Sequence, residues 1–539
     1  MKKKLLATVL CMAMLLTCLA GCGGEDKGDQ GADGVKKIVY ANGGQPESME
    51  FVEGSRYAKY SVLKYNIYTG LTRISKDGTS EMGWADKYET SDDGLVWTFH
   101  IREDAKFSDG TDMTAHDWEE TMKYYCAPKT AAQQTTLEEY VKNMGAYIAG
   151  ECEWKDVGYK ALDDRTLEIT LENPCTYFLD IACTYVALPM HIVNENPNWN
   201  KTAETYVGNG PFRMVSLKDQ VNVVLEKNPY YYDTDNVAID QVEFVFLDEP
   251  SVELASFQNG DIDVSDNLNA EAVSKYKDSE EFVNESRIGV NYLTIHTGHI
   301  TDNRVRQALS LALDRETLLQ ILGQVSFPAT GLVPYGIHWG DEQYRDKAGD
   351  LVSFNLERAK KLLEEAGYPN GEGLPTFKYV CQNNEEAMNR AQAMQSMWQA
   401  AGFKIEIVSY EPSTYWDVFE TEDWDIADDG WTGDYDDPST NLFLWEERRE
   451  VNPDGSLKDA RWHDEKALEY NALMQKTYKE TDYETRMKTF LDAEKILIEE
   501  TPIIPVTFYT DTMLVNPKVK GVVKNYIGHV FFQYADIAE

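Results

Sequence analysis

Runs that alternate apolar and polar residues with period two recur along this chain, and amphipathic stretches with helical spacing lie between them. Thr166-Leu167-Glu168-Ile169-Thr170-Leu171 alternates cleanly, and residues 95–101 and 221–225 do the same. Such runs bury one face as strands. Residues 35–40 read as a further strand. Asn355 reads as an N-cap, after which Leu356, Ala359, Leu362, Leu363 and Ala366 form one stripe that Gly367 ends. Residues 305–313 and 317–322 read as two helices with Asp314 capping the second. A helix over 387–401 ends at Gly402 and feeds a strand over 403–408, and helical patterns fill 464–500. No fixed-period repeat is present. The mixture predicts an α/β protein, and 539 residues allow about three to four domains.

Composition removes several classes. The chain is 42% hydrophobic and 27% charged, an ordinary globular balance that excludes global disorder. Asp and Glu number 92 against 51 Lys and Arg, a net charge of −41. Such a surface repels a phosphate backbone, so nucleic acid is not an expected partner.

The first residues read as an address. Lys2, Lys3 and Lys4 precede the apolar run 5–19, which is interrupted by Thr8 and Thr17. Fifteen helical residues span about 22 Å, short of a ~30 Å bilayer core, so a signal peptide over 1–21 fits better than a spanning helix. The run ends Leu19-Ala20-Gly21-Cys22, which resembles a bacterial lipobox. Lipidation of Cys22 would then tether a soluble body to the membrane surface. Residues 22–34, rich in Gly and Asp, read as a flexible tether. No later stretch reaches 18 apolar residues.

Setting aside Cys11, Cys18 and Cys22 leaves Cys126, Cys152, Cys175, Cys183 and Cys381. Five is odd, and no Cys-x-x-Cys pair suggests zinc. Two readings of Cys175 and Cys183 stay open: a disulfide across a hairpin, or buried thiols.

Six segments, in order, resemble the peptide-binding family of ABC-importer substrate-binding proteins. They are the strand and turn from Trp97 to Gly110; Gly208-Asn209-Gly210-Pro211-Phe212; Asn259-Gly260-Asp261-Ile262-Asp263; Asp302-Asn303-Arg304-Val305-Arg306-Gln307-Ala308-Leu309; Ala359-Lys360-Lys361-Leu362-Leu363-Glu364-Glu365-Ala366-Gly367-Tyr368; and Gly430-Trp431-Thr432-Gly433-Asp434-Tyr435-Asp436-Asp437-Pro438. The resemblance implies a two-lobed clamp of the periplasmic-binding-protein type with an extra α+β domain inserted in the first lobe. By analogy lobe I takes 35–67, 205–296 and 507–539, the inserted domain 68–204, and lobe II 297–506. Ligand is expected between the lobes. The implied protein is a lipid-anchored, extracytoplasmic receptor that delivers peptides to a membrane permease. It performs no catalysis and uses no cofactor. With a single anchor and no heptads it is expected to be a monomer.

The resemblance also implies the site. Asp434, the acid of the Gly-Trp-x-x-Asp motif, would pair with the ligand's α-ammonium, a charge-assisted bond about twice as strong as a neutral one. Trp431 would wall the pocket. The main chain at Gly430 and Thr432 would pair with an extended ligand as an added strand. Tyr57, reached by an ungapped count and not by a motif, is expected to contribute from the opposite lobe. Some relatives bind a peptide's carboxylate with basic residues, but Asp428-Asp429 stand before this motif with no evident basic partner.

Alternatives rest on thinner signals. Asp423, Asp425, Asp428, Asp429, Asp434, Asp436 and Asp437 crowd fifteen positions, as oxygen ligands for Ca²⁺ would, but without EF-hand spacing. His296-Thr297-Gly298-His299 offers two imidazoles and no further ligand. Neither makes a metal site the expected reading. No nucleophile elbow, zinc-protease helix or phosphate loop is present. An oligosaccharide receptor of the same fold is the rival, and it would need Trp339, Trp416, Trp424 and Trp431 to converge across the cleft.

Overall fold

The computed structural model describes residues 34–46, 48–51, 58–76, 79–128, 140–421, 423–446, 462 and 465–538. The leader, most of the tether, Cys22 and Tyr57 lie outside the described residues.

One eleven-stranded sheet runs through both lobes. Its strands are β1 (Lys37–Ala41), then, after a separate four-stranded sheet β2 (Ala85–Thr90), β3 (Val96–Ile101), β4 (Tyr159–Ala161) and β5 (Thr166–Thr170), the strands β6 (Phe212–Lys218), β7 (Asn222–Lys227), β8 (Gln241–Val245), β9 (Val264–Ser265), β10 (Phe282–Ile295), β11 (Phe327–Pro328), β12 (Thr376–Gln382), β13 (Lys404–Tyr410), β14 (Ile426–Thr432) and β15 (Ile503–Val515). The order is β13-β12-β14-β10-β15-β9-β1-β8-β7-β6, with β11 on β15. The four-stranded sheet is antiparallel, in the order β2-β3-β5-β4.

β10 and β15 are the long members, 14 and 13 residues, and they pair antiparallel along nearly their whole length. Their register shifts between Ser286 and Val290 and again between Asn291 and Tyr292. Such shifts bend a strand and raise its twist. The bend divides the sheet: β9, β1 and β8 follow on one side, and β14, β12 and β13 on the other.

The helices predicted from periodicity form, and others join them. α1 (Ala115–Tyr125) buries Trp118 and Met122. α2 (Phe178–Ala182) is short. α3 (Asn303–Leu311), α4 (Arg315–Leu322) and α5 (Leu356–Glu365) carry side-chain caps at Asp302, Asp314 and Asn355. α6 (Glu385–Ala401) is capped by Asn384, which accepts from Ala387 N at 2.9 Å, and it ends on Gly402 at φ +107°. α7 (Pro412–Thr421), α8 (Glu465–Thr477) and α9 (Tyr483–Glu500) complete the second lobe. A core around Leu309, Leu363 and Trp398 packs α3, α5 and α6 on one face of the sheet. Another joins Ile288 and Val290 to Tyr470, Phe490 and Leu497. Burying a Leu or Phe side chain contributes about 1.5–3 kcal/mol, so these cores hold α6 and α9 firmly against the strands.

All five described cysteines are free thiols. A hairpin between Cys175 and Cys183 does not form, because Phe178, Ile181 and Ala182 bury one side of α2 instead. Cys183 Sγ donates to Asp180 O at 2.8 Å, closing that helix.

Candidate ligand-binding site

β14 carries the Gly430-Trp431-Thr432 segment. On one side it pairs antiparallel with β10, placing Gly430 opposite Asn291, Trp431 opposite Val290 and Thr432 opposite Gly289. On the other side β12 pairs only at Ile426 and Ala427. Beyond Ala427 no strand among the described residues covers that edge. Gly433 N donates to Ile288 O at 2.6 Å, which fixes the alternation of main-chain directions. The main-chain groups of Gly430 and Thr432 therefore face away from β10, toward the open edge. Gly430 N already donates to Asp429 Oδ1 at 2.7 Å. An extended chain can add there. Gly430 is required by packing: a Cβ at this position would stand 2.1 Å from Tyr509 Oη.

The loop after β14 is pinned at several points. Asp434 N donates to Thr440 Oγ1 at 2.9 Å. Asp437 is gripped by both Nη atoms of Arg486, with Nη2 at 3.0 Å from Oδ1, and accepts from Ser439 Oγ at 2.6 Å. His338 donates its N–H to Asp436 Oδ1 at 2.7 Å, and its Nδ1 stands 2.5 Å from Oδ2. Tyr177 stacks on Tyr435 at 4.1 Å.

Of the seven acids between 423 and 437, six have a protein partner. Lys378 Nζ holds Asp423 at 2.9 Å and Lys378 N donates to Asp425 at 2.7 Å. Arg390 holds Asp428, Gly430 N and Tyr292 Oη donate to Asp429, and His338 and Arg486 take Asp436 and Asp437. Asp434 alone has none for its carboxylate among the described residues. Its side chain reaches solvent. The flanking walls nevertheless displace water from it, and this desolvation lifts its pKa to about 6. A carboxylate so placed is a receptor for a cation. The partners of the other acids lie far apart, and no group of three or more His, Cys, Asp or Glu side chains among the described residues is arranged to hold a metal ion. His299 is engaged by Trp424 O at 2.9 Å and stacks on His296.

Trp431 is half-buried, edge-on to Phe443 at 5.5 Å, and its Nε1 is buried without an acceptor among the described residues. The ring thus packs against Phe443. The four tryptophans of the rival sugar reading do not converge. Trp339 and Trp424 are core residues whose indole N–H groups donate to Glu484 at 3.1 Å and to Phe419 O at 3.0 Å. Trp416 is 48% exposed.

Asp428 does have a basic partner, one that adjacency in sequence could not reveal. Arg390 of α6 donates through Nη2 to Asp428 Oδ2 at 2.7 Å and through Nη1 to Glu386 Oε1 at 3.3 Å. A cavity of about 310 Å³ opens beside Gly430 and is lined by these groups. The one available signal was the Glu386–Arg390 spacing of four on a helix. Tyr509, His338 and Arg486 left no signal near the motif.

With this geometry in hand, the relatives are informative. The family model for bacterial extracellular solute-binding proteins, family 5, middle region, matches residues 80–452. The oligopeptide-binding protein OppA of Bacillus subtilis is 32% identical over 483 residues, 87% of each chain. The dipeptide-binding protein DppE of the same organism is 29% identical over 533 residues, 97% of this chain and 96% of that one. Among solved structures, the periplasmic murein tripeptide binding protein MppA in its unliganded open form superposes with TM-score 0.81 at 25% identity, over 94% of this chain and 98% of that one. Haemophilus influenzae OppA in complex with RPPGFSPFR gives 0.67 at 27% identity, over 94% and 100%. The unliganded open form thus superposes better than the peptide complex.

Proposed function

We propose that this chain, which belongs to family 5 of the bacterial extracellular solute-binding proteins, captures peptides by their amino end and passes them to a membrane permease. It is a binding protein and not an enzyme, as its family and relatives are. Asp434 pairs with the ligand's α-ammonium, and the peptide main chain adds to the β14 edge at Gly430 and Thr432. The observation that carries this reading is the carboxylate of Asp434, without a partner among the described residues, at the end of an open strand edge. Main-chain pairing is indifferent to side chains and the ammonium fixes the register, so many peptides fit one site. A neutral sugar offers Asp434 no charge.

The remaining parts of the reading follow the same logic. Lobe I takes 35–67, 205–296 and 507–539, the inserted domain 68–204, and lobe II 297–506. The antiparallel sheet β2–β5 falls wholly within 68–204, which supports that division. Tyr57 would reach the ligand from lobe I. A lipid on Cys22 anchors the receptor outside the cytoplasmic membrane. No helix among the described residues is long and apolar enough to cross a membrane. The receptor acts as a monomer.

The test is calorimetric titration of protein unfolded and refolded to strip carried-over ligand. Tri- to pentapeptides, the same peptides N-acetylated, and cello-oligosaccharides are compared. Binding of free peptides that acetylation abolishes is the expected result. Binding of the sugars alone would overturn the peptide reading.

A further inference from the structure

The cavity beside Gly430 has a chemistry of its own. Its charged lining is Glu386, Asp428 and Asp429 against a single cation, Arg390. That cation is already committed, to Asp428 at 2.7 Å and Glu386 at 3.3 Å. The lining therefore carries an excess of negative charge. A ligand carboxylate entering here would meet three acids and find the one guanidinium taken.

Two further observations agree with a cationic occupant. Trp416 stands at the rim, 48% exposed, and its ring is held edge-on by Tyr415 at 5.2 Å and Phe419 at 5.7 Å. An exposed indole face attracts ammonium and guanidinium groups and packs on their aliphatic stems. Tyr509, which also lines the cavity, has its hydroxyl pushed up to about 12, by burial first and then by the Asp428 carboxylate.

The distance along β14 says which ligand residue reaches the cavity. Asp434 lies two residues past the end of β14, and the edge-facing Thr432 and Gly430 are two residues apart, about 7 Å at ~3.3 Å per extended residue. A peptide whose ammonium lies on Asp434 and whose chain follows the strand edge brings its third or fourth residue beside Gly430. We propose that this cavity is a specificity pocket for a lysine or arginine side chain at the third or fourth position of the bound peptide, with Glu386, Asp428 and Asp429 as its acids and Trp416 as its wall. The inference rests on the proposed peptide reading and adds to it a preference that main-chain pairing cannot supply.

The experiment is a positional scan with stripped, refolded protein. Pentapeptides of alanine carry one lysine, one norleucine or one glutamate at each of positions two to five. Norleucine has the lysine stem without the charge. Lysine at position three or four should bind at least tenfold more tightly than norleucine there, and glutamate more weakly than either. The lysine advantage should shrink with added salt. Glu386→Gln should reduce it several-fold while leaving the all-alanine peptide unchanged. Asp428→Asn, which frees Arg390, should improve the glutamate peptide. If the all-alanine peptide binds but lysine and norleucine are equal at positions three and four, or lysine is favoured at position two or five alone, the pocket assignment is wrong and the peptide reading stands. If no pentapeptide binds, both fall together.

Discussion

Asp434→Asn separates a functional carboxylate from a structural one, because it moves affinity and stability in opposite directions. In the ligand-free protein the carboxyl sits at a pKa of about 6, raised by desolvation, against about 3.9 in an unfolded chain. A raised acid is favoured in its protonated form by the fold. Its ionisation therefore costs stability, starting above the unfolded value and in full above about pH 6. Two units correspond to ~3 kcal/mol. The side chain reaches solvent, and screening reduces this to about 1 kcal/mol. Asparagine carries no charge, so the variant should be more stable by about that amount at pH 7.5 and indistinguishable below about pH 4. Urea unfolding at the two pH values reads it. Peptide binding goes the other way. A charge-assisted bond contributes about 1.5–3 kcal/mol, so the variant should lose about 10- to 100-fold in affinity. In the native protein the carboxyl must be ionised to pair. The dissociation constant should therefore be flat above pH 7 and rise about tenfold per unit below pH 6. That dependence should vanish in Asp434→Asn. A variant that binds free peptides as tightly as the parent, or that loses stability and affinity together, would refute this account.

Other perturbations have defined outcomes. Gly430→Ala drives a methyl toward Tyr509 Oη; unfolding should show a loss of about 1–3 kcal/mol, and adding Tyr509→Phe should restore much of it, the signature of coupled neighbours. Arg486→Met leaves the buried Asp437 carboxylate without its cation, costing about 3–5 kcal/mol in urea unfolding. Cys22→Ser should abolish incorporation of labelled palmitate and release the protein from the membrane fraction; unchanged labelling would reject Cys22 as the anchor. Small-angle scattering should find the unliganded parent open and its complex with a free peptide more compact, with no compaction on adding the N-acetylated peptide.

Much of the frame was legible because it rests on local rules. The caps at Asp314 and Asn355, the stripe of α5 and the alternation of β3 and β5 are consequences of side-chain periodicity, and the elements stand within a residue or two of where it puts them. The Gly-Trp-x-x-Asp segment was legible as a motif. What made Asp434 stand out was not. Seven acids in fifteen positions look alike on paper, and only tertiary structure assigns Lys378, Arg390, His338 and Arg486 to the others. Arg390 lies 38 residues from Asp428 in sequence and 2.7 Å from it in space. The Cys175–Cys183 alternative failed for the opposite reason: eight positions apart suits a hairpin, but an intervening buried stripe makes a helical turn instead.

The same distribution of partners bears on how a clamp of this kind waits for its ligand. Partnered acids such as Asp437 stitch the loop to α9 and lose nothing when water leaves. Asp434 differs, since it is exposed and only partly desolvated. If the ligand binds between the lobes as proposed, closing them without it would bury an uncompensated carboxylate, which costs several kcal/mol. Glu386 of α6 and Asp429 of β14 add like charge in the cavity beside Gly430. On the proposed reading a peptide ammonium removes the first of these costs and its main chain satisfies the β14 edge, so the closed state gains most when both are present. A ligand shifts a conformational equilibrium only by its difference in affinity for the two states. On this proposal that difference resides in one carboxylate and one strand edge, which is why N-acetylation, by removing the ammonium, should leave the clamp open.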